Sequence, residues 1–207
     1  MVDITERTEM APEKLSKVLD AAQKRFARYG LSKTTMNDIA DDLGVSKASL
    51  YYYFPDKESI FKKVVCKEQA DFCLQMKQLG SSKKKVDTVF KEYIENRIQY
   101  LKTLINLGQL TFEEFQAQKP LYSALGKEFF DKEKNIIKEI LQHAYDKGEI
   151  AKVNFDEYAS FFVHNLRSLR LYALGNKDLW ESGNIDIEIK HEYHFFTKIF
   201  LKSIEKV

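Results

Sequence analysis

Apolar side chains recur every three or four residues along almost the whole chain, which is the period of a helix with one buried face. In the first such segment, residues 12 to 29, the stripe comprises Leu15, Val18, Leu19, Ala22, Phe26 and Tyr29. The 207 residues include only 8 Gly and 3 Pro, too few turn residues for the many short strands of a sandwich or barrel. The sequence therefore predicts an all-α fold.

Capping residues divide this pattern into nine predicted helices. Thr35 and Asp38 have capping-box spacing before a helix over 36–43, and Ser46 is placed to cap a helix over 47–53. Asp56 and Asn154 are further predicted N-caps. The remaining helices are predicted over 12–29, 57–79, 83–105, 110–118, 120–147, 155–174 and 187–205, with a loop over 175–184. Three short helices thus precede a series of longer ones.

The second and third helices have the spacing of a helix-turn-helix. Ala40 is small enough to let the following helix cross closely, and Gly44 suits the left-handed residue of a three-residue turn. Leu50 is expected to fill the angle between the two helices, with Ile39, Leu43 and Val45 around it. Ala and Gly at these spacings also occur by chance, so these three positions alone leave a plain helical hairpin open.

The opposite face of the third helix carries small or long polar side chains. This face presents Lys47, Ala48, Ser49, Tyr51 and Tyr52. Side chains of this kind are suited to reach base edges and phosphates in a major groove. Because consecutive helical residues point about 100° apart, Leu50 and Phe54 are expected to face inward instead. Tyr53 lies between the two faces, and its orientation stays open.

Charge alone does not indicate a nucleic-acid partner. The formal net charge is +2, and residues 1 to 57 contain nine Lys/Arg and nine Asp/Glu. Within residues 46 to 57, however, the only charged side chains are Lys47, Asp56 and Lys57. The basic surface is modest, so we expect DNA affinity to depend on dimerisation.

The string "FARYGLSKTTMNDIADDLGVSKASLYYYFPDKESIF" resembles the DNA-binding domain of the TetR family of transcriptional regulators. The match runs without a gap from about residue 15 to 65, and beyond about residue 70 only the architecture is similar. The resemblance implies a three-helix DNA-binding domain, 1–57, joined by a long helix to a helical-bundle ligand-binding and dimerisation domain, 58–207. It also implies a regulator rather than an enzyme, most simply a homodimeric repressor, with activator as the alternative.

The resemblance further implies which residues contact an operator with a pseudo-palindromic sequence. Thr35 and Lys57 would hold backbone phosphates, and a lysine at a helix N-terminus is an anion site on physical grounds as well. The full set of expected DNA-binding residues is Thr35, Ser46, Lys47, Ala48, Ser49, Tyr51, Tyr52, Tyr53 and Lys57.

The two last long helices, 155–174 and 187–205, are apolar over more than the roughly 100° that a one-sided helix needs. Either both faces are buried within one subunit, or one face meets a second copy. The resemblance implies the second arrangement, a four-helix bundle between two subunits.

Polar side chains among apolar ones suggest a pocket for a small, largely apolar ligand. The candidate residues are Asn96, Tyr100, Phe112, Phe115, Phe129, His143, His164 and Arg167. The alternative for each is a surface residue or an ordinary core residue, and the sequence does not decide between them.

A rival interpretation is a helical-bundle metalloenzyme that uses Glu188 and His191, which have the spacing of a di-iron motif. Such a site needs a second copy, and Glu139 and His143 are four residues apart instead of three. We expect no cofactor. Two cysteines, Cys66 and Cys73, are either buried thiols or a redox sensor. The two cysteines give no disulfide framework, which suits a reducing cytoplasm. Because there is no long apolar run and no apolar leader, we expect no signal peptide and no membrane partner.

Overall fold

A computed structural model of the chain describes residues 11–105, 112–117 and 119–206. Within these residues the structure has ten helices and no β-strand, so the all-α prediction is confirmed. The helices are α1 (Pro12–Lys33), α2 (Met36–Leu43), α3 (Lys47–Tyr53), α4 (Lys57–Gly80), α5 (Val86–Ile105), α6 (Phe112–Ala117), α7 (Lys119–Asp146), α8 (Phe155–Gly175), α9 (Lys177–Glu181) and α10 (Ile185–Ser203). None of the helices in the described residues is both long and apolar enough to cross a membrane.

The predicted caps of the short helices are confirmed. The Thr35 hydroxyl accepts from the Asp38 backbone N–H at 3.2 Å, and the Asp38 carboxylate accepts from the Thr35 N–H at 2.8 Å. At α3, the Ser46 hydroxyl accepts from the Ser49 N–H at 3.1 Å. Gly44 has φ 65°, the left-handed conformation that the turn requires. Local sequence therefore determines where α2 and α3 begin and how they are joined.

Two predicted boundaries were wrong. The first helix does not stop at residue 29, because Gly30, with φ 76° and ψ 165°, makes a kink after which the chain is helical for another turn. The segment 175–184 is not all loop, because Asn176 caps the short helix α9 by accepting from the backbone N–H groups of Asp178 and Leu179. The predicted helix 110–118 is described only from Phe112 to Ala117, and the predicted break at 106–109 lies outside the described residues.

The chain divides into two compact units, Met1–Glu68 with Thr103–Leu110, and Gln69–Lys102 with Thr111–Val207. We call them the N-terminal unit and the larger unit. Helix α4 begins in the first and ends in the second. The apolar core of the N-terminal unit includes Val18, Leu19, Ala22, Phe26, Ile39, Ala40, Leu50, Phe54, Ile60 and Phe61.

In the larger unit, α8 packs against both α7 and α10. Its core is rich in aromatic rings, with Phe162 in contact with Phe90 and Phe200 at centroid distances of 5.1 and 4.7 Å. Gly80, the last residue of α4, approaches α7 so closely that a Cβ there would lie 2.6 Å from the Ile140 side chain. Only glycine allows this contact without a shift of the Ile140 side chain.

An ion pair is buried in the same core. The guanidinium of Arg97 donates to both carboxylate oxygens of Glu133 and, at 2.6 Å, to the Tyr193 hydroxyl. The Tyr93 hydroxyl also donates to Glu133. Burial, reinforced by the Glu133 charge, raises the pKa of Tyr93 well above its usual range, so this phenol stays protonated and remains a donor.

Candidate nucleic-acid interface

Buried side chains on one side of α3 anchor this helix in the core of the N-terminal unit. Leu50 is 2% exposed and Phe54 is 6% exposed, so both predicted inward positions are buried. Ala40 on α2 is buried as well, as expected of the small residue at the helix crossing. The C-terminal end of α3 is closed by the Phe54 N–H, which donates to the Leu50 carbonyl at 3.0 Å. These contacts fix which side of α3 faces outward.

The outward side of α3 presents the side chains that the sequence predicts for DNA. All five are exposed: Lys47, Ala48, Ser49, Tyr51 and Tyr52. The Lys47 ammonium lies 5.6 Å from the centre of the Tyr51 ring, within cation–π distance. The helix therefore displays a positive charge, a small apolar residue and two phenols on one accessible surface.

Tyr53, whose orientation the sequence leaves open, is half-buried. Its ring meets that of Tyr52 edge to face, with the centroids 4.9 Å apart. Tyr53 thus packs beside an exposed tyrosine of α3, and its predicted contact with DNA stays a prediction.

Thr35 is exposed at the start of α2, but its donors are already engaged. Its hydroxyl donates to the Asp38 carboxylate at 2.7 Å, and its backbone N–H donates to the same oxygen. These hydrogen bonds from Thr35 lower the pKa of Asp38. A phosphate that approached Thr35 would have to replace Asp38 as acceptor, so the contact predicted here requires a local rearrangement.

Lys57, the first residue of α4, has a different environment from the one expected of a phosphate ligand. Its ammonium donates to the carbonyl oxygens of Leu31 at 2.9 Å, Ser32 at 3.2 Å and Thr34 at 2.9 Å. An ammonium has three N–H donors, and all three are used within the N-terminal unit. In this structure Lys57 holds the last turn of α1 and Thr34, and a phosphate contact would need at least one of these bonds to be exchanged.

Two further features of this unit differ from the sequence prediction. Val45 is 43% exposed and does not bury its side chain around Leu50; its backbone N–H instead closes α2 by donating to the Ala40 carbonyl. Arg25 was not predicted to matter, yet its guanidinium donates to both oxygens of Asp42 and joins α1 to α2. Seventeen residues separate the pair, so no local spacing could have indicated it.

In the larger unit, some predicted pocket residues do come together. Tyr100 and Phe129 lie 5.4 Å apart between ring centroids, and Phe72, which the sequence analysis missed, lies 5.0 and 5.7 Å from them. We call these three residues the Phe72 cluster. A second group contains Phe115, which stacks on Tyr122 at 5.7 Å, together with Phe112 and Trp180.

Other predicted pocket residues lie on the surface. Asn96 and His143 are exposed, and the Asn96 side-chain amide donates to the Glu92 carbonyl of its own helix. His164 is also exposed, with Nδ1 2.9 Å from the Ser160 carbonyl oxygen. Arg167 is half-buried. The exposed three do not fit an enclosed pocket, because their polar groups face solvent or their own helix.

The described residues do not bring metal ligands together at Glu188 and His191. His191 is exposed, and His194 Nε2 lies 3.0 Å from Glu95 in a surface pair. Among the residues that the structure describes, no three or more His, Cys, Asp or Glu side chains are placed to hold a metal ion. Burial raises the pKa of the Cys73 thiol, which opposes the thiolate character of a redox sensor.

Helices α8 and α10 carry large apolar side chains that the subunit does not cover. They are Phe161, Leu171 and Tyr172 on α8, and Ile187, Phe195 and Ile199 on α10, each more than two-fifths exposed. Since α8 and α10 pack against each other, these side chains belong to neighbouring helices of the larger unit. Uncovered apolar surface of this kind is typical of an interaction site.

Comparisons with known proteins agree with the geometry. Residues 18–64 match the model of the tetR family of bacterial regulatory proteins. A crystal structure of a transcriptional regulator from Cytophaga hutchinsonii is 36% identical in sequence, with 93% of this chain and 99% of that chain covered, at a TM-score of 0.77.

Two more distant relatives extend the comparison. IcaR, the HTH-type negative transcriptional regulator of the biofilm operon icaADBC in Staphylococcus aureus, is 28% identical over 192 residues, which cover 90% of this chain and 98% of that protein. The triclosan complex of SmeT, the repressor of the Stenotrophomonas maltophilia multidrug efflux pump SmeDEF, covers 94% of this chain and 92% of that chain at a TM-score of 0.59. At 15% identity, the latter shows likeness of fold alone.

The matched segment 18–64 contains α2 and α3, the two helices whose capping, crossing and exposed face have been described. The relative from C. hutchinsonii matches across both units and not only in this segment. The chain belongs to the TetR family of bacterial regulatory proteins, and it is therefore a DNA-binding transcriptional regulator and not an enzyme.

Proposed function

We propose that this regulator is a homodimeric repressor, which acts in the cytoplasm and leaves its operator when a small molecule binds the larger unit. Residues 1–57 would form the DNA-binding domain, and residues 58–207 the ligand-binding and dimerisation domain. The helices of the dimer interface would be those at about 155–174 and 187–205.

The observation that carries the proposal is the outward face of α3. Lys47, Ala48 and Tyr52 are exposed, while Leu50 and Phe54 anchor the opposite side in the core. A helix that is rigidly held on one side and bears polar groups on the other is the form in which helix-turn-helix proteins enter the major groove. Lysine and tyrosine side chains would contact phosphates and base edges there.

A dimer supplies the affinity that one short helix lacks. The exposed apolar side chains of α8 and α10 offer a surface that a second copy could cover. Two-fold symmetry would place the two copies of α3 about 34–36 Å apart, or a multiple of that distance, on a pseudo-palindromic operator.

The ligand is proposed by analogy with relatives and from the aromatic interior. SmeT is described in complex with triclosan, and IcaR is a negative regulator. The Phe72 cluster provides apolar walls for a small molecule. Such a ligand would release DNA only if it binds the DNA-free conformation more tightly than the DNA-bound one.

The test begins with selection of a randomised duplex library on the purified protein, which identifies an operator. Affinity for that operator is then measured as salt rises, for the wild type, for Lys47→Ala, and for the exposed control Lys152→Ala in the larger unit. We expect a steep loss of affinity with salt, and a slope reduced by about one only in Lys47→Ala. Failure to select any consensus sequence would refute the proposal.

A further inference from the structure

Arg170 of α8 is a half-buried arginine that lies in line with buried leucines. Arg170 follows Leu166 by four residues and precedes Leu174 by four, and both leucines are buried. The Arg170 Nε atom is itself buried and has no hydrogen-bond partner. In the part of the chain that the structure describes, no carboxylate lies within ion-pair distance of Arg170. The core therefore encloses a donor with nothing to donate to.

The neighbouring charges do not neutralise it. The two oxygens of Glu133 already accept from Arg97 and Tyr93, and the single charge of Glu133 balances that of Arg97. Burial lowers the pKa of Arg170, but an arginine begins so far above neutrality that it remains charged. The described residues thus leave Arg170 without a counter-charge, and its enclosed Nε without an acceptor, which is unfavourable for the empty protein.

The surroundings of Arg170 combine this charge with a nearby apolar surface. Gly126 on α7 has no side chain, and a terminal nitrogen of Arg170 lies 3.8 Å from where its Cβ would be. One turn further along α7, Phe129 belongs to the Phe72 cluster. On the other side of Gly126, the Leu125 carbonyl accepts from the buried Gln69 of α4 at 3.2 Å. A charged group and an aromatic wall therefore adjoin each other, next to α4.

We propose that Arg170 binds the carboxylate of an amphipathic ligand, whose apolar part packs on the Phe72 cluster. The inference rests on the proposed function, since it names the chemical class of the ligand. A carboxylate matches the planar fork of a guanidinium, and the unpartnered Nε is one of the two donors that side-on bidentate binding uses. A monoanion is favoured because it cancels the single uncompensated charge, whereas a doubly charged phosphate would leave a negative one.

The experiment compares two probes of the same length, octanoate and 1-octanol, by titration calorimetry with the full chain at neutral pH. The variants are Arg170→Met, Arg170→Lys and the control Lys127→Met, which removes the charge of an exposed residue beside Gly126. The wild type and Lys127→Met should bind octanoate about 10- to 100-fold more tightly than 1-octanol, as expected of charged hydrogen bonds. Arg170→Met should lose this preference, and Arg170→Lys should keep part of it.

A second measurement separates binding from folding. If Arg170 is an uncompensated charge, the empty Arg170→Met protein should unfold at the same temperature as the wild type or at a higher one. A structural role would lower that temperature. Equal affinity of the wild type for octanoate and 1-octanol, or unchanged octanoate binding in Arg170→Met, would overturn the inference.

The outcomes also distinguish this inference from the proposed function. Operator affinity is measured separately on the empty protein, and then in the presence of octanoate. Selective octanoate binding without any operator binding would refute the proposed function and leave the role of Arg170 intact. If the protein binds an operator but does not discriminate between the two probes, the role of Arg170 is refuted and the proposed function stays intact.

Discussion

The ammonium of Lys57 lies 2.9 Å from the carbonyl oxygen of Thr34, and this bond joins the first residue of α4 to the residue that precedes the N-cap of α2. Two more bonds, to Leu31 and Ser32, hold the same segment. Lys57 therefore links the start of α4 to the end of α1 and to the residue before the N-cap of α2, although the resemblance assigned this side chain to a DNA phosphate.

Replacing Lys57 by Met should destabilise the protein. The carbonyls of Leu31 and Thr34 would lose a charged donor, so we expect the free energy of unfolding in urea to fall by about 1–3 kcal/mol. The exposed neighbour Lys63 provides the control, and Lys63→Met should unfold as the wild type does. Equal stability of the two variants, with operator binding lost only in Lys57→Met, would instead support the phosphate contact.

The pair formed by Arg25 and Asp42 should make stability depend on pH. The hydrogen bonds that Arg25 donates lower the pKa of Asp42 below its ordinary value. The folded protein therefore binds a proton at Asp42 less readily than the unfolded chain does. This contribution is complete about one unit above the unfolded-state pKa, near pH 5, and disappears as the pH falls through the lowered pKa. Asp42→Asn should therefore show a shallower loss of the urea midpoint below pH 4 than the wild type.

The exposed neighbour Asp41 serves as the control for that measurement, because it takes part in no ion pair among the described residues. Asp41→Asn should retain more of the acid dependence than Asp42→Asn does. If the two variants show the same pH profile, the Arg25 bonds do not contribute to stability.

Removing one partner of the buried ion pair should have a large effect. In Glu133→Gln the Arg97 charge stays in the core without its counter-charge, and we expect a loss of about 3–5 kcal/mol in the free energy of unfolding. The exposed pair of Lys84 and Glu92 is the comparison, and Glu92→Gln should cost less than about 1 kcal/mol. Equal losses in the two variants would show that Arg97 finds compensation elsewhere.

The apolar surface of α8 and α10 predicts the oligomeric state. Phe195 is 56% exposed in the isolated subunit, so Phe195→Glu should not disturb the core but should place a charge in a dimer interface. Sedimentation should then show a monomer where the wild type is a dimer. The control Leu74→Glu, on α4 and 59% exposed, should remain dimeric. A monomeric wild type, or a dimeric Phe195→Glu, would locate the interface elsewhere.

Most of the N-terminal unit could be predicted from the sequence because its determinants are local. The bonds between Thr35 and Asp38, the cap at Ser46 and the bonds of the left-handed Gly44 all join residues at most four apart, and spacing alone reveals them. The role of Lys57 depends on carbonyls 23 to 26 residues away, and helical periodicity contains no information about them.

The larger unit was predicted less well, yet the sequence did contain a usable signal. Arg170, half-buried with its Nε enclosed, lies one turn from the buried Leu166 and Leu174 on α8, and Glu133 is buried among Phe129, Ile136 and Ile137 on α7. A charged residue three or four positions from the apolar residues of a buried helix face indicates that part of its side chain is buried. Proximity in sequence to apolar residues does not show that a polar residue lies on the buried face of its helix. Asn96 and His143, predicted on that basis, are exposed.

The separation of buried and exposed side chains within α3 has a consequence for how such a regulator can evolve. Leu50 alone among its seven residues is buried, and the outward side chains of Lys47, Ala48 and Tyr52 make no contribution to the core. Substitutions at those three positions are therefore nearly free of any folding penalty. A duplicated gene could acquire a new target sequence in a few steps while it keeps the same scaffold, and a laboratory library limited to these codons should yield retargeted proteins that still fold.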